Sequence, residues 1–198
     1  MTASSIQNLI QNPRLQNRFV TLIFALLTVI ASILLASTAD AASAEEIDAR
    51  IEEAMAEFYE ESSAGRALAQ RAAGMLVFPR VIKAGIGIGG EYGEGALLVN
   101  GDTEAYYSVA SASVGFQLGV QRKAQVIMFM TEEALENFRT SDGWEAGVDG
   151  SVAVVEFGAA EEISTSNIQQ PIVGFVFSNR GLMYNLTFEG SKISEINR

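Results

Sequence analysis

This chain lacks two of the residue types on which most familiar enzyme chemistry rests. It contains no cysteine and no histidine. Without cysteine there are no disulfides, no thiolate metal site and no thiol nucleophile. Without histidine there is no Ser-His-Asp triad, no histidine-based zinc site and no imidazole general base. Positive charge is also short: 13 Lys and Arg stand against 24 Asp and Glu, a formal net charge of −11, which disfavours any broad electrostatic grip on nucleic acid. What is present is apolar. Hydrophobic residues make up 48% of 198 and charged residues only 19%, enough for the packed core of one domain, alone or with an appendage. Neither an internal repeat nor a low-complexity tract appears.

The first forty-four residues read as a sorting segment. Arg14 and Arg18 precede an apolar run from Phe19 to Ala36, and no charge falls between Arg18 and Asp40. Two A-x-A sites follow, Ala39-Asp40-Ala41 and Ala42-Ser43-Ala44, as at the end of a secretory signal peptide. The run exceeds the ~7–15 residues of a usual signal core and approaches the ~20 that span a bilayer. Residues 1–44 are therefore expected to be either a cleaved signal peptide or a retained membrane anchor. Both alternatives put residues 45–198 outside the cytoplasm, in the periplasm or cell envelope. There the lack of disulfides leaves the fold to its core, and a domain of ~150 residues buries roughly 70% of its unfolded surface.

From Glu45 to Glu61 the pattern is helical, with Ile47, Ile51, Met55 and Phe58 on one stripe. Its other face is strongly acidic, the reverse of the Lys- and Arg-rich face of a membrane-surface helix. Ser43 and Glu46 form a capping-box pattern. A second helix is expected over Ala64–Ala73, between Ser63 as N-cap and Gly74 as C′ residue. The pattern then turns to β. A short apolar run, Met75–Val77, is ended by Pro79. Glycines at 85, 87, 89, 90, 93 and 95 put five on one face of a strand, which signals close approach of another backbone or a sharp bend. Asn100-Gly101 signals a hairpin turn of type I′. Ala110, Ala112, Val114, Phe116, Leu118 and Val120 alternate with small or uncharged polar residues, so a long strand with its apolar face buried is expected, ending at Arg122-Lys123.

Further on, Ala124–Met130 reads as a strand. Thr131 caps a helix that runs to Arg139, and Ser141–Trp144 is a turn. Val148–Phe157 reads as a strand and Glu161–Gln170 as a loop. Ile172–Phe177 and Leu182–Phe188 form a hairpin across Ser178–Gly181. The ordering gives an α+β fold: an N-terminal helical pair packed on a curved, largely antiparallel, glycine-rich sheet with one inserted helix.

Motifs with chemistry are few. Gly85-Ile86-Gly87-Ile88-Gly89-Gly90 spells G-x-G-x-x-G but leads into more strand rather than a helix, so it reads as packing and not as a nucleotide site. No P-loop and no G-x-S-x-G elbow occur. Glu91 and Glu94 are the only carboxylate pair worth weighing for hydrolytic acid/base work. Of the few basic residues, Arg80, Lys83, Arg122, Lys123 and Lys192 lie in the β region. Each reads either as a solvated or paired surface charge, or as part of a small basic pocket for a phosphate or anionic head group.

Four blocks carry a family resemblance: Ala73 through Gly90; Tyr106-Tyr107-Ser108 through Gly115-Phe116-Gln117-Leu118-Gly119; Gly143-Trp144-Glu145-Ala146-Gly147; and Gly181-Leu182-Met183 through Leu186, followed by Glu189-Gly190-Ser191-Lys192-Ile193. In order and spacing, over Ile47–Asn197, they resemble the SYLF domain family, which includes the actin-patch proteins of yeast and many exported bacterial proteins. The resemblance implies a lipid-binding module without enzymatic activity or cofactor. Eukaryotic members bind phosphoinositides, some bind actin filaments, and their lipid contact is attributed to basic residues and an amphipathic N-terminal helix. Lys83 and Lys192 sit in the matching motifs, whereas Arg80, Arg122 and Lys123 are chosen from charge alone. The expected partner is an anionic lipid or other amphiphile at the envelope, with membrane contact and without nucleic acid; actin does not suit an exported domain. Two other classes stand beside this: a structural or protein-interaction module of the envelope, and a hydrolase using Glu91 and Glu94.

Overall fold

Two residues with left-handed backbone set the topology. Asn100 (φ 54°) and Gly101 (φ 91°) form the expected tight turn, the conformation that type I′ demands at both central positions. They join β1 (Gly74–Val99) to β2 (Asp102–Phe129), which pair antiparallel along nearly their whole length. The computed structural model describes residues 42–156, 170–181, 188 and 190–198. The leader expected over 1–44 thus lies, up to Ala41, outside the described residues. Ala42–Arg198 forms one compact unit. It holds both hydrophobic cores and so carries what it needs to fold on its own.

The long ribbon is folded over on itself. An ideal Cβ on Gly95 would lie 1.9 Å from the carbonyl oxygen of Val77, and one on Gly93 2.8 Å from that of Arg80. Both partners belong to the first half of the same strand, so β1 lies backbone to backbone on itself and only glycine leaves room. The crease is at Gly85, where a Cβ would meet the Cα of Gly89 at 2.5 Å, beside a register shift between Ile86 and Ile88. Gly90, on the opposite face, has nothing nearer than 3.9 Å. The close approach and sharp bend read from the glycines are both present.

Inside the fold-over lies the first core. Leu76, Phe78, Val81 and Leu97 of β1 meet Tyr107, Val109, Ile127 and Phe129 of β2. α3 (Glu132–Arg139), N-capped by Thr131, closes it with Leu135 and Phe138, and Phe138 stacks on Phe129 (centroids 4.9 Å apart) and Tyr107 (5.0 Å). The second core lies beneath α1 (Ala44–Glu61), whose Ile47, Ile51, Ala54, Met55 and Phe58 pack on Val77, Val126, Phe175 and Phe177. Each large side chain so buried contributes about 1.5–3 kcal/mol. Ser43 caps α1 through Glu46 N–H at 3.2 Å, while the Glu46 carboxylate turns to Arg50 instead of completing the box. α2 is Ser63–Ala69, capped by Ser62 and ending before the expected Ala73. The reason is that Ala73 N–H already bonds the Phe129 carbonyl and Gly74 opens β1, so the chain is committed to the sheet. No helix among the described residues is long and apolar enough to cross a membrane.

β2 is the spine of the sheet. Its early part pairs with β6 (Lys192–Ile196) and its late part with β5 (Ile172–Gly181); β3 (Trp144–Glu145) flanks β6, and β4 (Ala153–Glu156) flanks β5. The sheet is mixed, which corrects the largely antiparallel expectation: β4 runs parallel to β5. The chain between them, from 157 to 171, has the dozen or more residues that a parallel crossover needs. Boundaries also move: the strand expected over Val148–Phe157 begins only at Ala153. Pro79 does not end its strand but sits at a register shift within β1, where its missing N–H does no harm. β2 runs straight through Arg122-Lys123. Ser178–Gly181 is the end of β5 rather than a turn; the second arm of the expected hairpin, 182–187, and most of the expected loop, 161–169, lie outside the described residues.

The glycine contacts yield a paired expectation for urea unfolding. Gly95→Ala should lose about 3 kcal/mol or more, because a methyl group there collides with backbone. Gly90→Ala should stay within about 0.5 kcal/mol of the parent or gain slightly, since its methyl group makes only an ordinary contact with the Ser111 carbonyl and the unfolded chain loses entropy.

Candidate functional site

Three strands break register at one level. β1 does so between Phe78 and Val81, at Pro79 and Arg80, and β2 against β5 does so between Arg122 and Ala124, at Lys123. Ser178, on β5 beside that break, takes φ 53°. Bulges bend strands and re-aim their side chains. Beside these breaks is a cleft of about 220 Å³ between Arg50, Glu53 and Glu57 of α1 and Arg80, Arg122 and Lys123 of the sheet. Ser178 Oγ donates to Glu57 at 2.9 Å, which ties the helix to β5 across the opening. Arg50 is engaged by Glu46. Arg80 and Arg122 are exposed, and among the described residues neither has an ion-pair partner.

Beneath the cleft lies a buried charge pair. Lys123 Nζ is 3.0 Å from Glu91 Oε1, and Gln125 Nε2 donates to the same oxygen at 3.2 Å. Glu91 comes from the second half of β1, so the pair bridges the two layers of the folded ribbon. The contact is ionic rather than an aligned hydrogen bond, since the ammonium meets no well-oriented acceptor among the described residues. Burial pushes the Lys123 ammonium below its ordinary value near 10.5; the Glu91 carboxylate opposes that shift and the neighbouring charge of Lys83 adds to it.

The expected site residues therefore divide. Arg80, Arg122 and Lys123 share one cleft. Lys83 is only 5% exposed, paired in register with Gln121 beside Lys123, and lines none of the clefts described. Lys192 is exposed at the start of β6, its stem over Gly143, in a separate cleft with Tyr107 and Trp144. Lys83 and Lys192 do not converge. Glu91 and Glu94 do not either: Glu91 belongs to the buried pair, while Glu94 accepts from Tyr92 Oη at 2.7 Å and pairs with Arg198. Arg50 escaped the sequence reading because its helix is otherwise so acidic.

The largest departure concerns which face of the ribbon is inside. Ala110, Ala112 and Val120 of β2 are exposed, Val120 at 62%, while Gln121 and Lys123 are buried. On β1, Ile82, Ala84, Ile88 and Tyr92 are exposed, and Lys83 and Glu91 are buried. Here the alternation is inverted, apolar outward and polar inward. Strict alternation defines two faces but does not say which one is covered.

Removing one partner of the buried pair should be severe. Glu91→Gln is expected to cost about 3–5 kcal/mol in urea unfolding, whereas joint replacement by Lys123→Met and Glu91→Leu should recover most of that loss. The sign of the pH effect follows from the lowered lysine. Between its folded value and 10.5 the unfolded chain holds more protons, so stability rises with pH across that window. Lys123→Met should abolish that rise, read as the difference between parent and variant in the same buffers.

Comparison with protein families finds that residues 110–198 match the family Ysc84, described as Las17-binding protein actin regulator. No curated protein gives a significant match. The matched stretch contains the last two of the sequence blocks described above whole and the Gly115–Gly119 part of the second, and runs from within β2 through β6. Residues 110–198 are thus similar to the SYLF (Ysc84) family, in agreement with the resemblance read from the sequence blocks.

Proposed function

We propose that the domain is a non-enzymatic module that binds an anionic lipid or amphiphile at the cell envelope, with the head group held by Arg80 and Arg122 above Lys123. The observation that carries this reading is the bulge-level cleft. In a chain of net charge −11, two exposed arginines with no carboxylate partner among the described residues line one cleft with a buried lysine. Guanidinium groups offer fork-shaped donors that match phosphate and carboxylate oxygens. Glu53 and Glu57 on the opposite wall limit the charge that such a site can accept and favour a single compact anion. The family match supports a lipid- or actin-type binding domain. Export rests on the sequence of residues 1–44.

A second reading is a protein-interaction module of the envelope. Lys83 favours it, being buried away from every cleft described, and so does the matched family's description as Las17-binding. Within the lipid reading Lys83 serves the ribbon's interior and Lys192 is peripheral.

Co-sedimentation of Ala42–Arg198 with neutral and with anionic vesicles separates the two. Salt-sensitive binding to anionic vesicles, reduced about tenfold by Arg80→Ala with Arg122→Ala, is expected. Lys192→Ala should change binding less than twofold, as for an exposed charge outside the cleft. Absence of binding to either vesicle would favour the protein-interaction reading.

A further inference from the structure

We infer that the crease of the folded β1–β2 ribbon is a wedge that enters the lipid interface, a role distinct from head-group capture and resting on the lipid reading above. Ile88 is 71% exposed, Val120 62%, Tyr92 51% and Ile82 40%. They share one face with Ala84 and Ala112, as the register Ala84↔Val120, Gly90↔Ala112 and Tyr92↔Ala110 shows. A soluble strand normally turns such residues inward. This one buries Lys83, Glu91, Gln121 and Lys123 instead.

The boundaries of the stripe fit a bilayer better than a second protein. Between Ile82 and Tyr92 the exposed face carries no charge. At its foot on one limb stands Arg122, in register with Ile82, with Arg80 nearby. On the other limb stands the hydroxyl of Tyr92, and the Glu94 carboxylate next to it is neutralised by Arg198. Apolar tip, tyrosine and arginine, in that order, match the descent from head groups to acyl chains, where amphipathic rings and long cations sit at the boundary. The occupant is therefore a lipid surface with anionic head groups. Depth is limited by the backbone. A two-stranded ribbon has edges with unpaired N–H and C=O groups, which hydrocarbon does not satisfy. The wedge enters the head-group and acyl boundary, about 5–10 Å, and does not span.

The cysteine-free sequence makes a clean test. Ala42–Arg198 carrying Ile88→Cys takes a single environment-sensitive fluorophore; Val148→Cys, at a residue 74% exposed away from the stripe, is the control. The probe is vesicles of phosphatidylcholine with phosphatidylglycerol. Expected is a blue shift and protection from an aqueous quencher at position 88 only, with Ile88→Ser plus Val120→Ser weakening binding by at least about tenfold and Val148→Ser leaving it unchanged. If the unlabelled protein sediments with vesicles while both labels stay equally exposed to quencher, the wedge is wrong and the lipid reading stands. If it does not sediment at all, the lipid reading fails and the wedge falls with it. A blue shift at position 88 that grows with protein concentration without vesicles would overturn the wedge in favour of a second copy covering the stripe.

Discussion

Contact between two stretches of one strand's own backbone governs this structure. Gly93 and Gly95 lie against the carbonyl groups of Arg80 and Val77, closer than any side chain permits. That approach turns a hairpin into two layers. It creates the interior in which Phe78, Leu97, Tyr107 and Ile127 pack, and it brings Glu91 over Lys123. It also leaves the outer side of the crease uncovered, so the same constraint that makes the core produces the exposed Ile88 and Val120. Core, buried charge and apolar tip are three results of one fold-over.

The bulges complete the arrangement. Register breaks at Pro79, Lys123 and Ser178 stand beside a cleft lined by α1 and the sheet. The arginines above it and the apolar stripe beyond it lie on one continuous stretch of ribbon, since Arg122 pairs with Ile82. The proposed head-group site and the proposed interfacial wedge would thereby be neighbours on a single element, each with its own chemistry.

Much of this was legible in residues with unambiguous local demands. Asn100-Gly101 gave the turn because both positions need positive φ, and the odd-numbered glycines gave the bend because repeated loss of Cβ on one face has few other uses. Ser43 and Thr131 marked helix starts, and Ile47, Ile51 and Phe58 marked a buried stripe. What stayed hidden depended on long-range partners. Nothing local shows that Pro79 sits at a bulge rather than a strand end, or that Arg122-Lys123 lies inside β2. Ala110 to Val120 displayed its two faces, but which was covered depended on the ribbon folding toward its polar side. Of the site, charge alone picked out Arg80, Arg122 and Lys123, whereas the motif residues Lys83 and Lys192 fell apart in space because sequence blocks carry no information about which side of a sheet they reach.

Among the described residues β1 has a single strand neighbour, β2, so no described strand pairs with its other edge. An unpaired edge is a template on which another chain could add a strand. Proteins guard such edges with proline, bulges and charges that point inward, and β1 has all three in Pro79, its register shifts, and the buried Lys83 and Glu91. A foreign strand docking there would lose a donor at Pro79 and meet a broken ladder, with the buried Lys83 and Glu91 side chains behind it. Proline, bulges and inward charges of this kind hinder edge-to-edge pairing between copies, which matters for a ribbon whose described outer face is apolar.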